Sequence, residues 1–228
     1  MTQSSNRPDA QLIPIRRGVD LPRRARDPRI DAFRGLALIM IIIDHMPGNP
    51  WEHLTIRNIG FSDAAEAFFI MSGIAAGIAY SPAIGRWMSG DLRLWDAVAP
   101  LWRRAWQLYI VHIVLTVAAI GLYAWAADTF VRSEFRVMHN LALLYEQTGA
   151  AMAGLVTLGY QIGYVNILPS YTVLLLAGPV LIAAVLYAPR TTLAVAGAFW
   201  LYAGATRLTI PNHPGGGGWF FNPLTWQF

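Results

Sequence analysis

Long apolar runs recur along this chain, and they limit what it can fold into. A helix rises about 1.5 Å per residue, so an apolar run of about 20 residues crosses the roughly 30 Å hydrocarbon core of a bilayer. The composition agrees, because 55% of the 228 residues are hydrophobic and only 13% are charged, unlike an ordinary soluble domain. The sequence therefore predicts an all-α, polytopic integral membrane helix bundle.

Basic residues are concentrated ahead of the first apolar run. The chain has no lysine, and seven of its 17 arginines precede Ile30, within a net charge of +4. The positive-inside rule accounts for this pattern with a cytoplasmic tail over residues 1–29 that also meets anionic lipid. Nucleic acid is therefore not expected as a partner. Zero cysteines exclude a disulfide framework and a cysteine nucleophile, and no histidine pair has metal-ligand spacing.

The apolar runs predict about five or six spans. They cover residues 30–46, 62–80, 105–126, 168–187 and 192–205, and a further span opens at 219–228. The basic segment 81–100 is predicted to be cytoplasmic, and the Gly-rich segment 148–165 to be an amphipathic or re-entrant piece that does not span. A helix cannot stop in lipid with open backbone groups, so we expect further spans after residue 228.

The first span has ionisable residues at both ends and none between. Arg34 and His45 are eleven residues apart, which is about three helical turns and about 16 Å along one face. Asp31 shares that face one turn before Arg34, and Asp44 sits about 100° round from His45. Because ionisable groups inside a span are costly, each one is a candidate site.

The second span opens with two acidic residues, Asp63 and Glu66, in a sequence typical of a helix cap. A short loop makes the first two spans antiparallel neighbours, which predicts that His45 and Glu66 meet. A carboxylate that fixes the tautomer of His45 would let it act as a general base towards a hydroxyl. Asp44, Asp63 and Glu66 are the candidates for that carboxylate.

At the other end, Arg34 offers a planar fork of donors suited to phosphate. We place Arg34 near the cytoplasmic interface. Acyl-coenzyme A, with phosphates at one end and a thioester at the other, fits the spacing to His45. Arg103 and Arg104 are cytoplasmic anchors or further phosphate contacts, and both interpretations stay open.

Simpler interpretations also exist for these polar residues. Asp31 and Arg34 pair with each other in one of them, and His45 only lines the interface in another. His112 is predicted to be a hydrogen-bonded packing residue. Exposed loop positions are predicted for the three remaining histidines, His53, His139 and His213.

Several motifs resemble a known family. Arg34 and His45, with ten residues between them, resemble the hallmark of membrane acyltransferase family 3, and Phe68-Phe69-Ile-Met-Ser72-Gly73 resembles its second-span motif. A closer similarity is to the OpgC branch. It extends over the blocks Arg29-Ile-Asp31-Ala-Phe-Arg34-Gly35, Asp44-His45-Met-Pro47-Gly-Asn49, Asn58-Ile-Gly-Phe61-Ser-Asp63-Ala-Ala-Glu66, Leu168-Pro169-Ser-Tyr171 and Phe221-Asn-Pro-Leu-Thr-Trp226-Gln227.

This resemblance implies an acyltransferase domain over residues 30–228 of a family with about ten spans. The implied activity is transfer of a succinyl group from cytoplasmic succinyl-CoA to osmoregulated periplasmic glucans, at the bacterial inner membrane, with a cytoplasmic N-terminus. By analogy His45 is the catalytic histidine and Arg34 serves the acyl donor. Acyl-CoA is then a co-substrate, and no cofactor is expected.

Other functions remain open on the sequence. The same charges suit an acetyltransferase acting on another envelope glycan, a transporter with an ion path, or an assembly subunit whose charges pair helices. The expected partners are succinyl-CoA or another acyl-CoA, the glucan acceptor and membrane lipid. Association into a homo-oligomer is also left open.

Overall fold

The computed structural model describes residues 27–46, 48–59 and 62–225. Its elements are helical, and the only strand-like pairing in that part of the chain is an isolated bridge between Pro211 and Gly218. The α-helices are α1 (Pro28–Asp44), α2 (Ile56–Ile59), α3 (Ala64–Met88), α4 (Leu94–Thr129), α5 (Ala142–Glu146), α6 (Thr148–Val156), α7 (Ile167–Tyr187) and α8 (Pro189–Thr206). Short 3-10 turns cover Pro50–Leu54, Ser133–Arg136 and Met138–Asn140. The tail predicted over residues 1–29 lies almost entirely outside the described residues.

Three of the described helices, α3, α4 and α7, are long and apolar enough to cross a membrane. They confirm the predicted all-α membrane bundle. The first helix, α1, has 17 residues, or about 25 Å, slightly less than the roughly 30 Å of a bilayer core. The last helix, α8, has 18 residues and carries Arg190 in its first turn. Spans at α1 and α8 therefore stay predictions.

The boundary between α3 and α4 differs from the prediction. We predicted a cytoplasmic segment over residues 81–100 and a span from Ala105, and the helices extend beyond the predicted spans, since α3 continues to Met88 and α4 already begins at Leu94. Arginines end an apolar run without ending a helix, which explains the difference in bounds. With 36 residues, α4 is about 54 Å long and extends well beyond one hydrocarbon layer.

The core of the bundle lies where α7 packs against the N-terminal half of α4. Leu175 of α7 packs against Ala105 and Leu108, and Trp102 donates its indole N–H to the carbonyl of Leu176 at 3.1 Å. Farther along, Gly178 lies so close to Leu101 that a Cβ would be 2.7 Å from its Cδ2. The start of α3 packs against the start of α7 through Phe68 and Tyr171.

A second apolar cluster lies beside the C-terminal half of α4. It is formed by residues 139–166, which we call the 139–166 hairpin, and its buried members are Leu141, Leu144, Ala151, Leu155, Tyr160 and Ile162. They pack against Ile113, Ile120 and Tyr123. Because α6 has only nine residues, it is too short to cross a bilayer. The prediction that residues 148–165 do not span is confirmed.

Residues 207–225 fold back onto this hairpin. The His213 N–H donates to the carbonyl of Gly159 at 3.0 Å, and Gly154 faces the His213 carbonyl with no room for a Cβ. Residues 219–225 form bends and turns rather than a helix. The predicted opening of a span at 219–228 is therefore wrong through Thr225, and residues 226–228 lie outside the described part of the chain.

Candidate functional site

His45 follows the last residue of α1, and its ring is held by the helix that precedes it. Its Nδ1 lies 2.6 Å from the carbonyl oxygen of Ile41. A carbonyl only accepts hydrogen bonds, so Nδ1 carries a proton and donates it to Ile41. The same Ile41 carbonyl also accepts the backbone N–H of His45 at 3.2 Å, which its two lone pairs allow. The ring of His45 is exposed, which leaves Nε2 as the nitrogen that a general base would use.

Two aromatic side chains of the 139–166 hairpin lie beside His45. The ring centroids of His45 and Tyr164 are 5.0 Å apart in an edge-to-face arrangement. Tyr164 also lies near His139, with ring centroids 4.2 Å apart. His139 in turn contacts Tyr123 of α4 at 5.6 Å. These four rings, His45, Tyr164, His139 and Tyr123, form one continuous cluster.

The position of His139 corrects the prediction of an exposed loop residue. His139 is half-buried, and burial lowers the pKa of its imidazole, with a smaller contribution from the nearby charge of His45. The sequence carries no local signal for this placement, because it depends on how the hairpin packs. Of the other histidines, His53 and His213 are exposed and His112 is buried, as predicted.

Arg34 has a different environment. Its guanidinium carbon lies 5.7 Å from the centroid of the Phe68 ring, a cation–π contact. The Nε atom is buried and has no hydrogen-bond partner, and among the described residues Arg34 forms no ion pair. The alternative in which Asp31 pairs with Arg34 is therefore not seen, and Asp31 is exposed.

The contact with Phe68 also shows how far α1 is shifted along α3. Phe68 is in the second turn of α3, whereas a tight antiparallel connection would place Arg34 beside the middle of that helix. The connection instead contains the Pro50–Leu54 turn and α2, which lets α1 extend past the start of α3. Arg34 is thus near the Ala64 end of α3 rather than beside the middle of that helix.

Two of the three predicted carboxylates, Asp44 and Asp63, are bonded to groups other than His45. Asp44 accepts a hydrogen bond of 2.7 Å from the hydroxyl of Thr55, which is only 1% exposed. Asp63 caps α3 by accepting from the N–H groups of Ala65 and Glu66, as the sequence predicted for a cap. Among the described residues no carboxylate forms an ion pair with His45. The predicted meeting of His45 and Glu66 is therefore not observed.

Arg103 and Arg104 lie exposed on α4. The guanidinium of Arg104 donates to the side chain of Gln107 at 3.4 Å. Within the described ranges neither arginine forms an ion pair. This arrangement suits membrane anchors, and their use as phosphate contacts stays a prediction.

An apolar cavity of about 440 Å³ lies between α3 and α7. Four residues of the Phe68–Gly73 motif line it, namely Phe69, Ile70, Ser72 and Gly73. The hydroxyl of Ser72 is buried without a hydrogen-bond partner, which is costly in an apolar setting. This motif thus packs the start of α3 beside Arg34 and lines the cavity as well.

Comparisons with known proteins agree with the positions of these motifs. A family model described as OpgC protein matches residues 26–228, which include α1 and every other element described above. No curated protein and no solved structure matches the chain. The chain therefore belongs to the OpgC protein family, and this membership implies a transferase role in modifying osmoregulated periplasmic glucans.

Proposed function

We propose that this chain is an O-acyltransferase that moves a succinyl group from cytoplasmic succinyl-CoA to hydroxyls of osmoregulated periplasmic glucans. It would do so in the bacterial inner membrane, with its N-terminus in the cytoplasm, as a member of the membrane acyltransferase 3 superfamily. The observation that carries the proposal is what stands at the two ends of α1: Arg34, whose buried Nε has no hydrogen-bond partner, and His45, whose Nδ1 is bonded to the Ile41 carbonyl so that Nε2 is the nitrogen left for a substrate. The two residues are about 16 Å apart along the helix.

Arg34 is proposed to bind the phosphates of the acyl donor. A buried donor without an acceptor costs free energy, and a phosphate oxygen would remove that cost. The aromatic face of Phe68 holds the guanidinium from one side and leaves its edge for the ligand. Arg103 and Arg104 are proposed as further phosphate contacts, and Asp31 as a neighbour that limits how the anion enters.

His45 is proposed to perform the chemistry at the thioester. Its Nε2 takes the proton of a sugar hydroxyl while that oxygen attacks the acyl carbonyl carbon. The C–S bond then breaks, and the proton passes from His45 to the coenzyme A sulfur, so His45 returns to its neutral form. The Ile41 carbonyl stabilises the imidazolium between these steps, because it accepts from Nδ1 throughout.

The nearby carboxylates have supporting roles in this mechanism. Asp44 ties the end of α1 to Thr55, and Asp63 fixes the start of α3. Glu66 precedes Phe68 by two residues in α3 and so belongs to the Arg34 end of α1, and we propose no contact between it and the imidazolium. A covalent acyl-histidine intermediate is the alternative route, since it would also carry the group towards the acceptor.

The test measures the charge of periplasmic glucans in cells that lack their own transferase. These cells express the chain, either alone or extended to the length of the family, as parent, His45→Ala or His53→Ala. His53 is the matched control because it is an exposed histidine of the neighbouring 3-10 turn. Anion-exchange chromatography separates succinylated glucans from neutral ones, and membrane fractionation confirms insertion.

We expect the parent and His53→Ala to produce anionic glucans, and His45→Ala to leave them neutral. Charge that persists in His45→Ala would remove His45 from the mechanism. Neutral glucans from an extended parent that inserts normally would contradict the proposed acyl group and acceptor. That outcome favours an acetyltransferase on another glycan, or a transporter that uses the same charges.

A further inference from the structure

Tyr164 lies between the two imidazoles of the ring cluster. Its ring centroid is 5.0 Å from that of His45 and 4.2 Å from that of His139. We propose that Tyr164 is a positioning residue for His45 and that His139 holds Tyr164 in place. This inference rests on the proposed function of His45. It assigns a part in the reaction to the 139–166 hairpin, which lies far from α1 in sequence.

The first argument is geometric. The bond from Nδ1 to the Ile41 carbonyl fixes one atom of the His45 ring but does not by itself fix the tilt of the ring plane. The edge-to-face contact with Tyr164, at an interplanar angle of 69°, supplies a second support from a different element. Edge-to-face packing is a favoured geometry for aromatic rings. The two contacts together define the direction in which Nε2 points.

The second argument is the backbone of the hairpin. His139 and Tyr164 both have left-handed backbone conformations, with φ values of 55° and 71°. Such conformations are uncommon for residues with a side chain and cluster at functional sites, where the surroundings enforce them. The hairpin also has this conformation at Asn140 and Leu158, and His139 and Tyr164 are the two of these four residues whose rings lead to His45.

The third argument is the set of contacts that enforces the strained backbone. The Gly163 N–H donates to the His139 carbonyl at 2.9 Å, and a Cβ on Gly163 would come within 3.0 Å of the His139 side chain. The side-chain amide of Asn140 donates to the Gln161 carbonyl at 2.9 Å. The Tyr160 hydroxyl donates to the Asn140 carbonyl. These hydrogen bonds join residues 139–140 to residues 160–163, next to His139 and Tyr164 in the chain.

The test compares Tyr164→Ala, which removes the ring, with Tyr164→Phe, which keeps the ring and removes only the hydroxyl. Tyr145→Ala is the matched control, because Tyr145 lies in the same hairpin and is 46% exposed against 47% for Tyr164. We expect Tyr164→Ala to lower kcat by about tenfold to a hundredfold, as a misplaced catalytic group does, with the KM for the acyl donor nearly unchanged. Tyr164→Phe and Tyr145→Ala should resemble the parent.

A second measurement does not depend on transfer activity. Diethyl pyrocarbonate modifies accessible imidazole nitrogens, and mass spectrometry reports the rate at each histidine. We expect Tyr164→Ala to change the rate of His45 relative to the exposed references His53 and His213, whereas Tyr164→Phe leaves that ratio unchanged. This readout still decides the proposal if the parent transfers nothing, an outcome that would count against the proposed function alone.

Two results would overturn the inference. If Tyr164→Ala matches Tyr145→Ala in both kcat and the His45 modification ratio, Tyr164 does not position His45. If Tyr164→Phe is as defective as Tyr164→Ala, the hydroxyl rather than the ring is required, and the positioning role is wrong.

Discussion

The two ends of α1 have different surroundings. At one end, the imidazole of His45 is bonded to the Ile41 carbonyl and contacts Tyr164. At the other end, the guanidinium of Arg34 lies over the Phe68 ring, and its buried Nε has no hydrogen-bond partner. The two ends belong to the same helix and differ in what surrounds them. The His45 end meets the 139–166 hairpin, and the Arg34 end meets the start of α3. The protein's own groups therefore satisfy His45, while an external acceptor is needed to satisfy Arg34.

The difference suits a division of work between binding and chemistry. A general base must be held in one orientation before substrate arrives, because misplacement slows proton transfer. A binding group gains most when its free state is incompletely satisfied, because the ligand then supplies the missing hydrogen bonds. The account predicts that changes at the two ends affect different kinetic constants.

The largest of the following effects is expected at the Arg34 end. We expect Arg34→Ala to raise the KM for the acyl donor by about tenfold to a hundredfold, because a hydrogen bond to a charged group contributes about 1.5–3 kcal/mol. Arg34→Lys should recover only part of this loss, since a lysine lacks the planar fork. Steady-state kinetics with the donor varied would measure both.

The control for these variants is Arg57→Ala, which removes an exposed arginine in α2. Its KM should equal that of the parent. An Arg34→Ala enzyme whose KM is unchanged and whose kcat alone falls would reverse the assignment of the two ends of α1.

A smaller effect is expected where Asp44 anchors the end of α1. Thr55→Val keeps the shape of a buried side chain but removes the hydroxyl that donates to Asp44. We expect the free energy of unfolding to fall by about 1–3 kcal/mol, because the buried hydroxyl loses its hydrogen bonds to Asp44 and to the Glu52 carbonyl. Thermal unfolding in detergent, followed by tryptophan fluorescence, would measure it.

Thr206→Val is the matched control for Thr55→Val. Thr206 is exposed, and its hydroxyl bonds only to the carbonyl of Tyr202 in its own helix. Equal stabilities of the two variants would show that the Asp44–Thr55 bond contributes nothing to holding α1.

The smallest effect concerns pH. Burial lowers the pKa of His139 below the roughly 6.5 of an unfolded histidine. Below about pH 6.5 the unfolded chain binds this proton and the folded chain resists it, so the stability supplied by neutral His139 is lost as pH falls towards the folded pKa. His139→Gln should therefore lose less stability than the parent between about pH 7.5 and about pH 5.5. The same unfolding assay, repeated at several pH values, gives the comparison, and identical pH slopes would contradict it.

The features that the sequence predicted well depend on local signals. The Asp63 cap follows from an acidic residue just before an apolar helix, and α7 runs over Ile167–Tyr187, close to the predicted 168–187, because a proline and polar residues border its apolar run. The non-spanning character of residues 148–165 follows from their weak and short apolar pattern. Each of these predictions needs only a few neighbouring residues.

The features that were missed depend on packing or on competition between partners. Asp44 was a candidate partner of His45, but it bonds to Thr55, and the Ile41 carbonyl one turn earlier accepts from His45 instead. A histidine directly after the last residue of a helix is the signal that would have indicated this bond. No local pattern indicates that His139 and Tyr164 reach His45, since that contact depends on how a distant hairpin folds against α4.

Equilibrium binding of succinyl-CoA to the purified protein tests the division of α1 most directly. The parent, His45→Ala and Arg34→Ala would be compared in the same detergent. We expect His45→Ala to bind the donor within about twofold of the parent Kd and Arg34→Ala to bind at least about tenfold more weakly. Loss of binding in His45→Ala, or unchanged binding in Arg34→Ala, would contradict the account.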